Sequence, residues 1–152
     1  MEFLTRARVD SVPRMEDGVA FAALELDSPE RFVSLRRALG VSSFGINLML
    51  LQPRQQGRIH RHERQEEVYL VLEGTLTLEV EGEPRELRTG ELARLAPGVR
   101  RRLSNRGETR CAILALGGAE PHTGRDGIAY EAWEDTEGRP PQETPLPPDL
   151  SS

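Results

Sequence analysis

Gly57-Arg58-Ile59-His60-Arg61-His62-Glu63-Arg64-Gln65-Glu66-Glu67-Val68-Tyr69-Leu70-Val71-Leu72-Glu73-Gly74 is the stretch on which the reading of this chain turns. It holds two of the chain's three histidines, two positions apart. On a strand, residues i and i+2 point to the same side, so His60 and His62 share a face and Arg61 takes the other. Four residues then separate His62 from Glu67, and the apolar run Val68 to Leu72 leads to Gly74. Two imidazoles and a carboxylate brought together from neighbouring strands have the chemistry of a divalent-metal site. An H-x-H pair alone equally describes surface or hydrogen-bonded histidines; the downstream Glu and Gly give it weight.

Outward from this stretch the pattern is one of short strands and turns. Residues 43–51 read as a strand and 52–57 as a loop. Ile59 to His62 and Val68 to Leu72 are strands on either side of a polar corner. Thr75 to Val80 alternates, with Leu76, Leu78 and Val80 on one face. Arg85 to Leu87, Leu92 to Leu95, Val99 to Leu103 and Thr109 to Leu116 follow, with glycine or proline at the joints. Eight or nine such strands, with no helix alternating between them, predict an all-β barrel or sandwich and argue against a parallel doubly wound sheet.

The flanks differ from this centre. Val19 to Leu26 reads as a first strand. Asp27 or Ser28 would cap a helix over about residues 29–39, with Pro29 in its first turn, Phe32, Leu35 and Leu39 at helical spacing, and Gly40 as the stop. Residues 126–133 read as a short ordered segment, and the proline-rich residues 137–152 as a flexible tail. The expected organisation is an N-terminal extension over 1–40 packed on a barrel over 41–118, an ordered extension over 119–136, and the tail over 137–152.

Composition narrows the class. The chain has 152 residues, 37% hydrophobic and 5% aromatic, and a net charge of -5. One domain with an aliphatic core fits that length. The mildly acidic balance argues against general binding to nucleic acid or to anionic membranes, both of which need a basic face. Cys111 is the one cysteine; it sits in an apolar run and reads as a buried thiol. No signal-like or membrane-length apolar run appears, so a cytoplasmic protein is the expectation.

In its strand order and cluster the chain resembles the cupin superfamily. The family's first motif, G-x5-H-x-H-x(3,4)-E-x6-G, is matched by His60, His62, Glu67 and Gly74, with Arg54 in place of the leading glycine. Its second motif, G-x5-P-x-G-x2-H-x3-N, is matched by Gly90, Gly98 and Asn105; the proline stands one place late at Pro97, and Arg101 occupies the histidine position. The resemblance covers about residues 42–118. It implies a double-stranded β-helix, or jelly-roll barrel, here with one short N-terminal helix. It also implies metal ligation by His60, His62 and Glu67, with Glu66 as the alternative carboxylate.

Arginine cannot ligate a metal, so three readings follow. A three-ligand site for Fe, Mn, Ni or Zn persists; or the metal is lost and Arg101 pairs with Glu67; or His122 completes the site. An inward Arg101 would clamp a carboxylate or phosphate of a ligand, and Tyr69 is grouped with it as a candidate ligand contact, packing being its plainer role. The resemblance implies a small metabolite as ligand, anionic where Arg101 faces it, and a homodimer, for which residues 19–26 could supply the pairing strand. Cupins include dioxygenases, decarboxylases and sugar isomerases, and the motifs do not choose among these or name catalytic residues. The alternative is a non-catalytic binding or sensing barrel.

Overall fold

The computed structural model describes residues 18–119 and 125–151. His122 and residues 1–17 lie outside the described residues. Among the described residues, ten strands form two five-stranded antiparallel sheets. In chain order they are β1 (Phe32–Ser34), β2 (Gly45–Leu51), β3 (Ile59–His62), β4 (Glu66–Glu73), β5 (Thr75–Val80), β6 (Glu83–Arg88), β7 (Leu92–Leu95), β8 (Arg101–Ser104), β9 (Cys111–Gly118) and β10 (Gly127–Tyr130). One sheet has the order β1-β2-β9-β4-β7 and the other β10-β3-β8-β5-β6. A short helix α1 (Leu35–Leu39) follows β1, and a 3-10 turn (Pro141–Glu143) follows β10. This is the all-β architecture that the strand pattern predicts and the jelly roll that the resemblance implies, with little helix.

Alternation along the strands builds the core. On β5, Leu76 and Leu78 turn between the sheets, and on β4 Tyr69 and Val71 meet them, joined by Leu51, Leu87, Leu95, Leu103 and Ile113. Cys111 is part of the same cluster, and burial pushes its thiol up to about 12. Side chains two apart on β4 share a face, so Glu67 points inward with Tyr69 and Val71.

A second apolar cluster lies apart from this core. Leu48, Leu50 and Ala112 pack there with Leu35 of α1 and with Leu26, and Leu24 lies against them. This explains one departure from expectation. Residues 19–26 form no strand; Leu24 and Leu26 pack over a sheet, while Val19 and Phe21 stay exposed. The helix is also shorter than the expected 29–39. Phe32 to Ser34 pair with Asn47 to Met49 as strand β1, and aromatic and β-branched residues favour that pairing. Ser34 is the actual N-cap, accepting from the Arg37 N–H at 3.2 Å. Ser28 receives the Glu30 N–H at 3.2 Å in a local turn. Gly40 ends the helix in the left-handed conformation, as expected.

Residues 138–151 are tied to the barrel. The Arg58 guanidinium donates to the Thr144 carbonyl at 2.8 Å, Gln56 Nε2 to that of Pro148 at 2.9 Å, and the Leu150 N–H to that of Arg54 at 2.7 Å. The polar, proline-rich composition that reads as a free tail thus serves a segment held through backbone carbonyls and a backbone N–H.

The glycine of the first motif has a strict geometric reason. Gly74 has φ of 80° in the turn between β4 and β5, and a Cβ there would collide with the Arg110 carbonyl. Arg54, standing where the same motif has its leading glycine, holds φ of 74°. The backbone keeps the glycine conformation although the residue has changed.

Candidate metal centre

The site lies between the two sheets. Strand β3 carries His60 and His62, and β8 beside it pairs His60 directly with Arg101. Cross-strand partners project to one face, so Arg101 points inward with the histidines. Glu67 reaches them from β4 in the opposite sheet, where it pairs with Leu95 and Gly117. The three candidate ligands therefore come from two facing sheets, although β3 and β4 are neighbours in sequence.

His60, His62 and Glu67 each offer a ligand atom, all within 4.8 Å of one another. The imidazole rings meet edge to face, their centroids 5.5 Å apart. Hydrogen bonding sets which nitrogen faces the centre. His60 Nδ1 donates to the Arg58 carbonyl at 3.2 Å and His62 Nδ1 to the Asp126 carboxylate at 2.9 Å. Both acceptors require an Nδ1–H, which leaves the lone pair on each Nε2. His62 Nε2 lies 3.6 Å from Glu67 Oε2. Bonds of about 2.0–2.2 Å to nitrogen and oxygen put two tetrahedral ligands roughly 3.4 Å apart, so this pair is spaced for one ion. Histidines that ligate a metal usually donate their other nitrogen to a carbonyl or a carboxylate, an arrangement both rings have here.

The other oxygen of Glu67 is occupied. Arg101 donates to Glu67 Oε1 at 2.8 Å, to the Tyr69 hydroxyl at 3.2 Å and to the Val99 carbonyl at 2.7 Å. Tyr69 in turn donates its hydroxyl to Glu67 Oε1. Arg101 and Tyr69 are both fully buried, whereas the side chains of His62 and Glu67 keep 18% and 12% exposure. Solvent therefore meets the site on the His62 and Glu67 side, with Arg101 behind the carboxylate.

Charges follow this arrangement. Burial, then the Arg101 cation, lowers His60 from 6.5 to about 4, so its ring is neutral. Burial opposes the charge on Glu67, but the neighbouring His62 ring and the Arg101 cation outweigh it and hold the carboxyl at about 2. His62 is raised: burial works against its proton, and Glu67 and Asp126 on either side more than compensate. Arg101 is raised as well, Tyr69 and Glu67 outweighing the cost of its burial.

The structure thus brings His60, His62, Glu67, Tyr69 and Arg101 to one point. Glu66, the alternative carboxylate, turns to the exposed side and pairs with Arg94. Asp126, absent from the sequence reading, is the addition. Its signal was weak: one of many acidic residues, 59 positions after Glu67, adjacent only because β10 pairs with β3.

Comparison with known proteins agrees with this construction. The cupin-domain family model matches residues 47–117. A cupin protein from Bacteroides fragilis shares 21% identity at a TM-score of 0.60, over 67% of this chain and 85% of its own. A sugar phosphate isomerase of the cupin superfamily from Silicibacter pomeroyi shares 25% at 0.58, over 70% and 73%. An oxalate oxidase shares 17% at 0.52, over 66% and 57%. No curated protein matches the chain significantly. The barrel is a cupin domain. Among the described residues no helix is long and apolar enough to cross a membrane.

Proposed function

We propose that this cupin holds one divalent transition metal through His60, His62 and Glu67 and takes a small anionic ligand on the open side of that site. The observation that carries the reading is the orientation of the two rings: each Nδ1 is held by an oxygen, so each Nε2 is free to ligate. Two histidines and one carboxylate with open positions suit Fe(II) or Mn, and Zn or Ni also accept such donors. Such a metal would polarise or activate a bound ligand. The rest of the chemistry falls to the chain's own side chains. Arg101 and Tyr69, expected as ligand contacts, bond to Glu67 and to each other, and Arg101 also to the Val99 carbonyl; in this reading they hold the carboxylate in place. The Arg101 cation behind Glu67 offsets the ligand carboxylate, so a divalent ion leaves the centre positive and an anion is favoured.

The test is metal analysis of tag-free protein and its His60→Ala variant. About one metal per chain, lost in the variant, is expected; metal-free protein with an intact fold refutes the reading. That outcome would leave the second one, a metal-free binding barrel, which the Arg101–Glu67 pair at 2.8 Å favours. A homodimer belongs to the same proposal; the exposed Phe21 and Val19 support a role for residues 19–26 in it, and light scattering of the purified chain tests it.

A further inference from the structure

The residue that decides which way the His62 ring faces lies beyond the matched cupin domain. Asp126 immediately precedes β10, where Gly127 pairs with His62. Its side chain is 7% exposed, and both oxygens are committed. Oδ2 accepts the backbone N–H groups of Arg64 and Gln65, each at 2.8 Å. Oδ1 accepts from Gln65 Nε2 at 2.8 Å and from His62 Nδ1 at 2.9 Å. All four partners are donors, an arrangement that a carboxylate satisfies and no neutral side chain of its size can. A Cβ at Gly127 would lie 3.8 Å from His62 Nδ1 and Cε1, in ordinary van der Waals contact, so β10 runs alongside the same edge of the imidazole.

We infer that Asp126 is the positioning residue of the centre: it fixes His62 as the Nδ1–H tautomer and aims Nε2 at the space shared with His60 and Glu67. The significance of this for the metal rests on the function proposed above; the tautomer does not. Asp126 also clamps the corner between β3 and β4 through Arg64 and Gln65, and that structural role has to be separated from positioning.

Asp126→Asn separates them. Its single carbonyl oxygen is expected to stay on the two backbone N–H groups, which preserves the clamp. The amide NH2 then faces His62 Nδ1 and forces that nitrogen to accept. The ring changes to the Nε2–H tautomer, and the lone pair leaves the metal side.

The experiment is performed on the full chain. Imidazole 15N shifts are recorded on metal-stripped protein at alkaline pH, where the rings are neutral, and Zn2+ binding is measured by calorimetry on wild type and variant. The expected result is Nδ1–H at His62 in wild type, Nε2–H in Asp126→Asn, and Zn2+ affinity lowered ten- to a hundredfold, about the loss typical of removing an outer-shell partner. A variant that keeps the Nδ1–H tautomer, or that changes tautomer with unaltered Zn2+ affinity, overturns the inference. If wild type takes up no Zn2+ while the tautomer still changes, the metal reading fails and the positioning of His62 stands. The wild-type spectrum is decisive even if the variant does not fold: an Nε2–H ring at His62 refutes the proposal.

Discussion

Replacing Arg101 by methionine tests the balance of forces at the centre of the barrel. The side chain is fully buried and donates to Glu67, Tyr69 and Val99. Methionine fills much the same length with no charge, so the loss is chiefly electrostatic. Glu67 then keeps a buried negative charge whose nearest full cation has gone. Removing one partner of a buried pair costs about 3–5 kcal/mol, and the relief of no longer burying a guanidinium argues for the lower end. Taking about 3 kcal/mol at roughly 2–4 °C per kcal/mol for a chain of this size, the melting temperature falls by about 6–12 °C. Total stability is typically about 5–15 kcal/mol, so the variant remains folded. Urea unfolding of chelator-treated protein at neutral pH measures the loss. Adding Glu67→Gln to the variant removes the stranded charge and should recover most of it. A loss below about 1 kcal/mol for Arg101→Met refutes the reasoning, because the cost of burying the pair would then equal what the pair contributes.

Three further outcomes follow from the same geometry. Arg101→His restores a neutral ligand where a cation stands; since like charges about 4–5 Å apart at an effective dielectric of ~20 repel by several kcal/mol, affinity for Zn2+ or Mn2+ should rise at least about tenfold by calorimetry, and unchanged affinity would refute it. Metal-free protein should lose stability as pH falls. Because folding holds His60 near 4 against 6.5, the unfolded chain takes up that proton first between those values; Glu67, near 2 against 4.5, repeats this lower down. His62 acts in the opposite sense, its contribution being present below 6.5 and lost as pH rises through its elevated folded value. In urea midpoints measured against pH, His60→Ala should flatten the window between 6.5 and 4, and an unaltered slope there would count against the assignment. Gly74→Ala forces a Cβ at φ of 80° against the Arg110 carbonyl, and a destabilisation of at least about 2 kcal/mol is expected in the same unfolding assay, strain and overpacking adding together.

Much of this was legible in the sequence because strand alternation is a local code. The parity of β3 puts His60 and His62 on one face, and the parity of β4 puts Glu67 with Tyr69. Spacing to Gly74 favours Glu67 over Glu66, and the structure places Glu66 outside with Arg94. The inward direction of Arg101 was legible only as a motif position, because its neighbours are arginines too. What stayed hidden depends on pairing between distant segments. Asp126 meets His62 across 64 positions. Residues 19–26 have a strand-like composition, but Leu24 and Leu26 pack over a sheet. The tail after Gly138 offers little to bury, and its attachment runs largely through backbone groups that no side-chain pattern records.

The arginine that breaks the second motif has kept its place in the geometry and changed its chemistry. A histidine at position 101 would give a lone pair to an ion; the guanidinium there gives a proton-donating fork to Glu67 Oε1 instead. That leaves Oε2 as the free donor of the carboxylate, 3.6 Å from His62 Nε2. Each of the three candidate ligands is thus held from behind: His60 by the Arg58 carbonyl, His62 by Asp126, Glu67 by Arg101 and Tyr69. Ligands fixed in this way lose little conformational freedom on binding an ion, which favours affinity. The Arg101 charge opposes it. Comparing metal affinity in Arg101→Met and Arg101→His separates the two effects. If methionine raises affinity as much as histidine does, charge repulsion is what weakens the wild-type site. If histidine alone raises it, the missing fourth ligand is the cause. If methionine lowers it, the hold of Arg101 on Glu67 matters more than its charge.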